Sequence, residues 1–232
     1  MQASKQFNVK EAKLIRALHD APSFFDRFKH GREKFTAFIT EVFLGHIKKD
    51  NVIYHGLAGH YFARGIPNVL KVRINSTLEE RIKEEMRREN ISEEEARYLL
   101  IKDDEERRKW SISLYGIDTH NCELYDVVLQ IDKMTVNDAV EILFNVVNRP
   151  SFQTTPEFRM ISKDKFLAAK VYSAIVHKFP VANVKCKDAV VYVSVESDLS
   201  QENKISNQIK VLLENIVEIK EVGVGVIPLG TD

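Results

Sequence analysis

Apolar side chains recur at two different spacings along this chain, and each spacing predicts a different element. Between residues 35 and 47 they lie three and four positions apart, which is typical of the buried face of a helix. Between residues 190 and 196 valines alternate with Tyr192, Ser194 and Glu196, which indicates a half-buried strand. Short apolar runs favour strands buried on both faces, and they cover residues 51–56, 69–74 and 124–130. The order of these patterns predicts an α/β region followed by a smaller α+β region.

Capping signals mark three helix starts. A hydroxyl residue is followed three positions later by an acid at Thr77 and Glu80, at Ser92 and Glu95, and at Thr135 and Asp138. This spacing lets the side chains satisfy backbone N–H groups of the first helical turn. Helices are therefore predicted directly after each of the three hydroxyl residues.

The helices predicted after Thr77 and Ser92 are rich in bases. Their basic side chains include Arg81, Lys83, Arg87, Arg88, Lys102, Arg107, Arg108 and Lys109. Two interpretations stay open. The bases could close over an anionic group, or they could pair with the interleaved glutamates at i, i+4 and form a solvated surface.

The helical pattern stops near Pro150, and a second proline, Pro156, follows within a segment that has no periodicity. A linker is therefore predicted over 149–162, between a domain at 1–148 and a second domain at 163–232. The patterns of the second domain predict the order α-β-β-α-β. Because its helix stripes and strands share one core, residues 163–228 are predicted to fold without the rest of the chain.

Composition narrows the function only slightly. The 232 residues carry 34 basic and 34 acidic side chains, so no overall charge attracts nucleic acid, and no nucleic-acid partner is expected. Cys122 and Cys186 lack metal-ligand spacing and are interpreted as reduced thiols, and no metal site is predicted. No apolar run approaches the ~18 residues of a membrane span, and the N-terminus lacks a signal peptide's apolar core. A cytoplasmic location is expected.

Residues 51–133 run in the order strand, glycine-containing turn, short helix, strand, basic helical pair, strand and capped helix. This order resembles the cytidylate-kinase-like family of P-loop nucleoside monophosphate kinases. The resemblance covers most of residues 8–147 and implies a three-layer α/β domain. That fold normally opens with a strand and G-x-x-x-x-G-K-[ST], whose backbone N–H groups and lysine hold the ATP phosphates. No segment of this sequence matches that motif.

The expected fold class is therefore a three-layer P-loop-kinase-like α/β domain without the Walker A strand and loop, plus the small α+β domain. Two functions stay open. One is a catalytically inactive protein with a nucleotide-sensing or assembly role. The alternative is a truncated form of an active CMP-type nucleoside monophosphate kinase, for which ATP and Mg²⁺ would be cofactors only if the missing N-terminal unit were supplied.

The resemblance implies two groups of site residues. Arg81, Asp104 and Arg107 correspond to the lid that closes over the transferred phosphoryl group, although the family's R-D-x-x-D-S-x-R signature survives only in its second half. The acceptor monophosphate would lie near His55, Gly56, Gly59 and His60, where the family's arginine is replaced by Leu57. The helices that would cover the acceptor add Arg27, with Arg32 and Lys34 as further candidates.

Residues 163–228 resemble the BON domain, a module associated with phospholipid or partner binding. Ala189 stands where that domain usually has a glycine before its middle strand.

The predicted kinase-like sheet lacks the strand that would carry the phosphate loop, so its neighbouring strands would expose apolar edges. A second copy of the chain is the expected cover, and a homodimer is predicted.

Overall fold

The computed structural model describes residues 2–8, 10, 31–56 and 58–228. Its α-helices are α1 (Gln2–Phe7), α2 (Gly31–Ile47), α3 (Gly59–Phe62), α4 (Leu78–Glu89), α5 (Glu93–Tyr115), α6 (Val136–Val147), α7 (Pro156–Ile175) and α8 (Glu202–Leu213). Its strands are β1 (Val72–Asn75), β2 (Val127–Gln130), β3 (Asn183–Lys187), β4 (Val190–Glu196) and β5 (Glu221–Ile227). None of the described helices is both long and apolar enough to cross a membrane.

The chain divides into two compact units whose borders differ from the predicted ones. Among the described residues, one unit holds 67–153, and the other combines the segments before residue 67 with 154–228. The cause is the packing of α2 on α7. Ala37 and Phe38 are buried against Val176, and the buried hydroxyl of Ser173 donates to the carbonyl of Ala37 at 3.1 Å.

The linker predicted over 149–162 is wrong in its second half. Helix α7 begins at Pro156, and the hydroxyl of Thr155 accepts from the backbone N–H of Phe158 at 3.1 Å. A threonine cap followed by proline at the first helical position is a start signal, because proline loses no hydrogen bond there. The second proline therefore opens a helix rather than extending a linker.

The three predicted helix starts are confirmed. The hydroxyls of Thr77 and Ser92 accept from the N–H groups of Glu80 and Glu95 at 3.3 and 3.2 Å. Thr135 and Asp138 form a full capping box, with the Thr135 N–H donating to the Asp138 carboxylate at 2.8 Å. These local hydrogen bonds fix where α4, α5 and α6 begin.

In the unit over 67–153, β1 and β2 pair in parallel, with Val72 opposite Val127 and Asn75 opposite Gln130. Strand β1 overlaps the strand predicted over 69–74, and β2 lies within the one predicted over 124–130. The prediction that both faces of these strands are buried is wrong. Ile74 is 59% exposed and Val128 is 44% exposed, whereas Leu129 is buried. The described part of this sheet thus covers only some of its apolar side chains.

The strand predicted over 51–56 is also wrong. These residues form irregular structure, and Ile53 is 97% exposed. Asp50 and Asn51 have φ values of 67° and 51°, and the left-handed region that they occupy is incompatible with extended strand geometry. An apolar run alone therefore does not make a strand here.

The C-terminal elements follow the predicted α-β-β-α-β order. Strand β4 is central, antiparallel to β3 and parallel to β5. Helices α7 and α8 pack on the sheet, and the inward valines of β4 alternate with exposed or half-buried residues as predicted. The buried core comprises Leu167, Val171, Ile175, Phe179, Val191, Val193, Val195, Ile205, Ile209 and Leu213.

The turn between β3 and β4 is held by one carboxylate. Asp164 of α7 accepts from the backbone N–H groups of Asp188 and Ala189 at 2.7 and 3.0 Å, and the Cys186 thiol donates to it at 3.4 Å. Burial, followed by the contact with Asp164, raises the pKa of Cys186 to about 12. The thiol therefore stays protonated and belongs to the packing of this turn.

Ala189 adopts a φ of 64° in this turn, a region that alanine reaches only at a cost. We expect Ala189→Gly to raise the free energy of unfolding by about 1 kcal/mol, because glycine enters this region without the Cβ penalty. Ala168→Gly is the control, since Ala168 lies in the interior of α7 and the variant should lose at least about 1 kcal/mol. Urea unfolding measures whether the free energy of unfolding rises or falls in each variant. A loss of stability in Ala189→Gly would contradict the strain at this turn.

Candidate functional site

Helices α4 and α5 contact each other as a hairpin joined by a short turn, with Asn90 in the left-handed conformation at the end of α4. This hairpin brings together two of the predicted catalytic residues. Both terminal nitrogens of Arg81 donate to the Asp104 carboxylate, at 2.7 and 2.9 Å. That hydrogen bonding is the main cause of the raised pKa of Arg81. The fork that could bind a phosphate is thus occupied by a carboxylate of the same hairpin.

The third predicted lid residue, Arg107, donates to Asp103 at 3.2 Å, one helical turn away. The neighbouring bases also pair with nearby acids, and these pairs are Lys83–Glu80, Arg87–Glu84, Arg88–Glu85, Arg97–Glu93 and Lys109–Glu105. The solvated ion-pair surface left open by the sequence is therefore present on this hairpin. Each exposed pair adds little to stability, since solvent screens it.

The charge balance of the hairpin also favours the ion-pair surface over a phosphate site. Residues 78–115 contain twelve acidic and nine basic side chains, which gives a net charge of −3. Such a surface does not attract a phosphate by its overall field. Two of its arginines are held by bidentate pairs: Arg87 pairs with Glu84 within α4, and Arg81 pairs with Asp104 across the two helices.

The predicted acceptor residues lie together in residues 55–60, at the start of α3. Gly56 and Gly59 are among the residues predicted to lie near the acceptor monophosphate. In the structure the Tyr54 ring occupies the space beside both glycines: a Cβ added to Gly59 would lie 2.7 Å from the ring, and one added to Gly56 would lie 3.0 Å from its hydroxyl. Tyr54 also packs edge-on against Phe43 at 4.9 Å. The two glycines therefore accommodate an aromatic side chain of the same chain.

The two predicted histidines have different surroundings. His55 is exposed, whereas His60 is half-buried with its ring centroid 4.0 Å from that of Tyr61.

The predicted acceptor residues at 55–60 and the predicted lid residues of α4 and α5 belong to different compact units. Arg27 and the side chain of Arg32 lie outside the described residues, and Lys34 lies 5.7 Å over the Phe38 ring.

One polar cluster had no signal in the sequence. Asp118, in the loop after α5, accepts from Arg108 at 2.6 Å and from both the backbone N–H and the Nδ1 of His120 at 2.9 Å. These hydrogen bonds, the one from the His120 backbone first, lower the pKa of Asp118. Arg108 and Asp118 are ten residues apart, so helical spacing could not reveal the pair. In the described part of the chain, no three histidine, cysteine or acidic side chains come together as a metal site.

Comparison with known proteins finds the same family that the element order resembles. The sequence model of the cytidylate kinase-like family matches residues 1–133. The cytidylate kinase of Methanosarcina acetivorans is 36% identical over 100 residues, which cover 42% of this chain and 54% of that protein. The cytidylate kinase of Pyrobaculum neutrophilum is 33% identical over 100 residues, covering 43% and 54% of the two chains. That of Sulfolobus acidocaldarius is 26% identical over 106 residues, covering 46% and 58%.

The chain thus spans about half the length of the curated relatives that it matches. No solved structure matches it significantly. The family match extends over more than half of the chain and includes the α4–α5 hairpin with Arg81 and Asp104. On this evidence the chain belongs to the cytidylate kinase-like family.

Proposed function

We propose that this 232-residue chain does not by itself transfer phosphate from ATP, and that it senses a nucleoside monophosphate or serves in assembly. Its membership of the cytidylate kinase-like family supports an acceptor such as CMP. The absence of G-x-x-x-x-G-K-[ST] from the 232 residues supports the inactivity. Without that loop, the β- and γ-phosphates of ATP have neither a backbone cradle nor its lysine.

The observation that carries the proposal is the bidentate Arg81–Asp104 pair. Carboxylates and phosphates bind the same two-nitrogen fork of an arginine, so the two compete for it. Both side chains are partly exposed, which leaves the pair accessible to a small ligand. In this proposal a nucleoside monophosphate displaces Asp104 from Arg81, and the displacement loosens the contact between α4 and α5.

Calorimetric titration of CMP into the wild-type chain and into Asp104→Asn tests this competition. Removing the competing negative charge should strengthen CMP binding by about three- to tenfold. A charge-assisted hydrogen bond contributes about 1.5–3 kcal/mol, and part of this free energy is gained by CMP when Asp104 no longer competes for Arg81. Glu84→Gln is the matched control. It makes the same change of net charge on the same hairpin but releases Arg87, which is not a candidate ligand.

We expect Glu84→Gln to change CMP affinity by less than about twofold. Circular dichroism should show that both variants keep the helix content of the wild type. Equal affinity in Asp104→Asn and the wild type would contradict displacement at Arg81. No binding of CMP by any of the three chains at millimolar concentration would contradict nucleotide sensing and leave only the assembly role.

The second candidate function is an active CMP-type kinase whose ATP-binding segment comes from outside these 232 residues. The matching relatives are all cytidylate kinases, and each extends well beyond the region that this chain matches. In that case ATP and Mg²⁺ would act with the supplied segment. Adding back such a segment would then produce CMP-dependent ATP consumption, whereas a sensing or assembly protein would remain inactive.

The C-terminal elements support a separate binding role. Their α-β-β-α-β order is the order on which the resemblance to a BON domain rests. We propose that residues 163–228 contact a phospholipid or a protein partner. Their buried core contains no charged side chain, so any such contact would use the outer surface.

A further inference from the structure

Helix α6 carries more apolar surface than its own chain covers. Ala139 is its buried residue, and Leu143 and Val146 are half-buried on the same side. Beside them lies a row of exposed apolar residues, which we call the α6 stripe: Val136, Val140, Phe144 and Val147. Phe144 is 66% exposed and Val140 is 58% exposed. A helix that is apolar over so wide an arc is normally covered on both sides.

The α6 stripe is continuous by helix geometry. Its members are spaced by four, four and three residues, so they lie along one line of the helix surface. The polar residues Asn137, Asp138, Glu141 and Asn145 point to the other side of that line. From the exposed fractions, the stripe presents on the order of 400 Å² of apolar surface, within the size range of patches that mark interaction sites.

We propose that the α6 stripe is the surface through which two copies of this chain associate, with their α6 helices packed antiparallel. A two-fold axis near residue 142 places Phe144 against Val140 of the partner subunit and Val136 against Val147 of the partner subunit. Large side chains then meet small ones, which is the arrangement that fills an interface without voids. Parallel packing would instead set Phe144 against Phe144 of the partner subunit.

The ends of the helix favour the same arrangement. Antiparallel packing brings the N-terminus of α6 beside the C-terminus of the partner helix. These ends carry partial charges of opposite sign, which attract each other. The stripe contains no charged residue, so no like charges meet at its centre.

The area places this contact among the small interfaces that are typical of weak association. Two stripes bury on the order of 800 Å² of apolar surface, and the polar rim brings the total to the lower end of specific interfaces, about 1,200 Å². A dimer with a dissociation constant in the micromolar range is therefore expected, on the order of 10 µM. This inference goes beyond nucleotide binding, and it replaces the exposed strands as the cause of the predicted homodimer, because residues 51–56 form no strand.

Sedimentation velocity of the full chain at about 1 to 200 µM tests the proposal. The wild type should shift from the monomer mass of 26.7 kDa to twice that value. Phe144→Glu should remain monomeric throughout, because it places a charge at the centre of the interface. Val217→Glu is the matched control: Val217 is also an exposed apolar residue, but it lies after α8 in the other unit, so this variant should dimerise like the wild type.

A size-swap experiment tests the antiparallel geometry. Val140→Phe alone places two phenylalanines against each other and should weaken the dimer by about tenfold. Adding Phe144→Val restores a large residue opposite a small one, so the double variant should recover to within about threefold of the wild type. A wild type that stays monomeric at about 200 µM, or a Phe144→Glu variant that dimerises as well as the wild type, would overturn the proposal. Failure of CMP binding would leave it intact, since no nucleotide takes part in these measurements.

Discussion

Residues 163–228, expressed without the rest of the chain, are expected to fold cooperatively with a free energy of unfolding of a few kcal/mol. The ten side chains of the C-terminal core all come from this range, and Val171, Ile175, Val191, Val193 and Ile209 are fully buried. The fragment loses the first turns of α7 and the contact between Ser173 and Ala37. Its stability should therefore lie below that of the same core in the full chain.

Substitutions in this fragment should have a large and specific effect. Ile209→Ala removes a fully buried side chain and should cost about 2–5 kcal/mol, which is enough to abolish the fold of so small a unit. Val211→Ala, two residues away on the same helix, removes an exposed side chain and should cost less than about 0.5 kcal/mol. Thermal unfolding followed by circular dichroism, with amide resonance dispersion, distinguishes these outcomes.

A disordered 163–228 fragment beside a folded full chain would contradict this prediction. It would mean that the α2–α7 contact through Ala37, Phe38 and Val176 is required for the C-terminal core to form. A fragment extended to residue 154 separates the two contributions. It restores the Thr155 cap of α7, worth about 1 kcal/mol, without restoring α2.

Local signals in the sequence were the most reliable guide to this fold. The helix starts at Thr77, Ser92 and Thr135 could be predicted because a cap uses hydrogen bonds between residues three positions apart. The alternation along β4 likewise identified its inward valines. The apolar run at 51–56 failed as a predictor because a strand also needs a partner and extended backbone, and Asn51 has a positive φ.

Long-range packing was not accessible from the sequence. The hydrogen bond from Ser173 to the carbonyl of Ala37 joins residues that are 136 positions apart. No periodic pattern in α2 or α7 specifies that contact, so residues 31–66 were assigned to the kinase-like domain alone. Long-range contacts of this kind depend on how whole helix surfaces fit, and a spacing rule does not encode that fit.

In the candidate site, too, contacts between residues distant in the sequence were not predicted. Helical spacing gave the exposed ion pairs on α4 and α5 as one of two open interpretations, because their partners are three or four residues apart. The pairing of Arg81 with Asp104 crosses between two helices, and the sequence identified both residues only through their resemblance to a lid. The filling of Gly59 by Tyr54 was missed, since a glycine leaves the same signal whether a ligand or a side chain approaches it.

The largest expected effect on activity is the absence of phosphoryl transfer. Transfer requires donor and acceptor held in line, and such positioning accounts for about 7–11 kcal/mol of the barrier in well-oriented reactions. This chain contains no phosphate-binding loop motif to hold ATP. The lid candidates Arg81 and Arg107, which pair with Asp104 and Asp103, cannot substitute, because two arginine side chains on a helical hairpin supply neither the backbone cradle nor the loop lysine for the β- and γ-phosphates. Removing those carboxylates should change nucleotide affinity without creating turnover.

A coupled assay with ATP, Mg²⁺ and CMP, UMP or dCMP is the most direct measurement of this claim, with the cytidylate kinase of Methanosarcina acetivorans as the active control. The 232-residue chain is predicted to give no ADP formation above the enzyme-free rate with any of the three acceptors. Turnover in the usual kinase range of about 1–100 per second would contradict the proposed function, and would show that this chain holds ATP by a means other than the phosphate-binding loop.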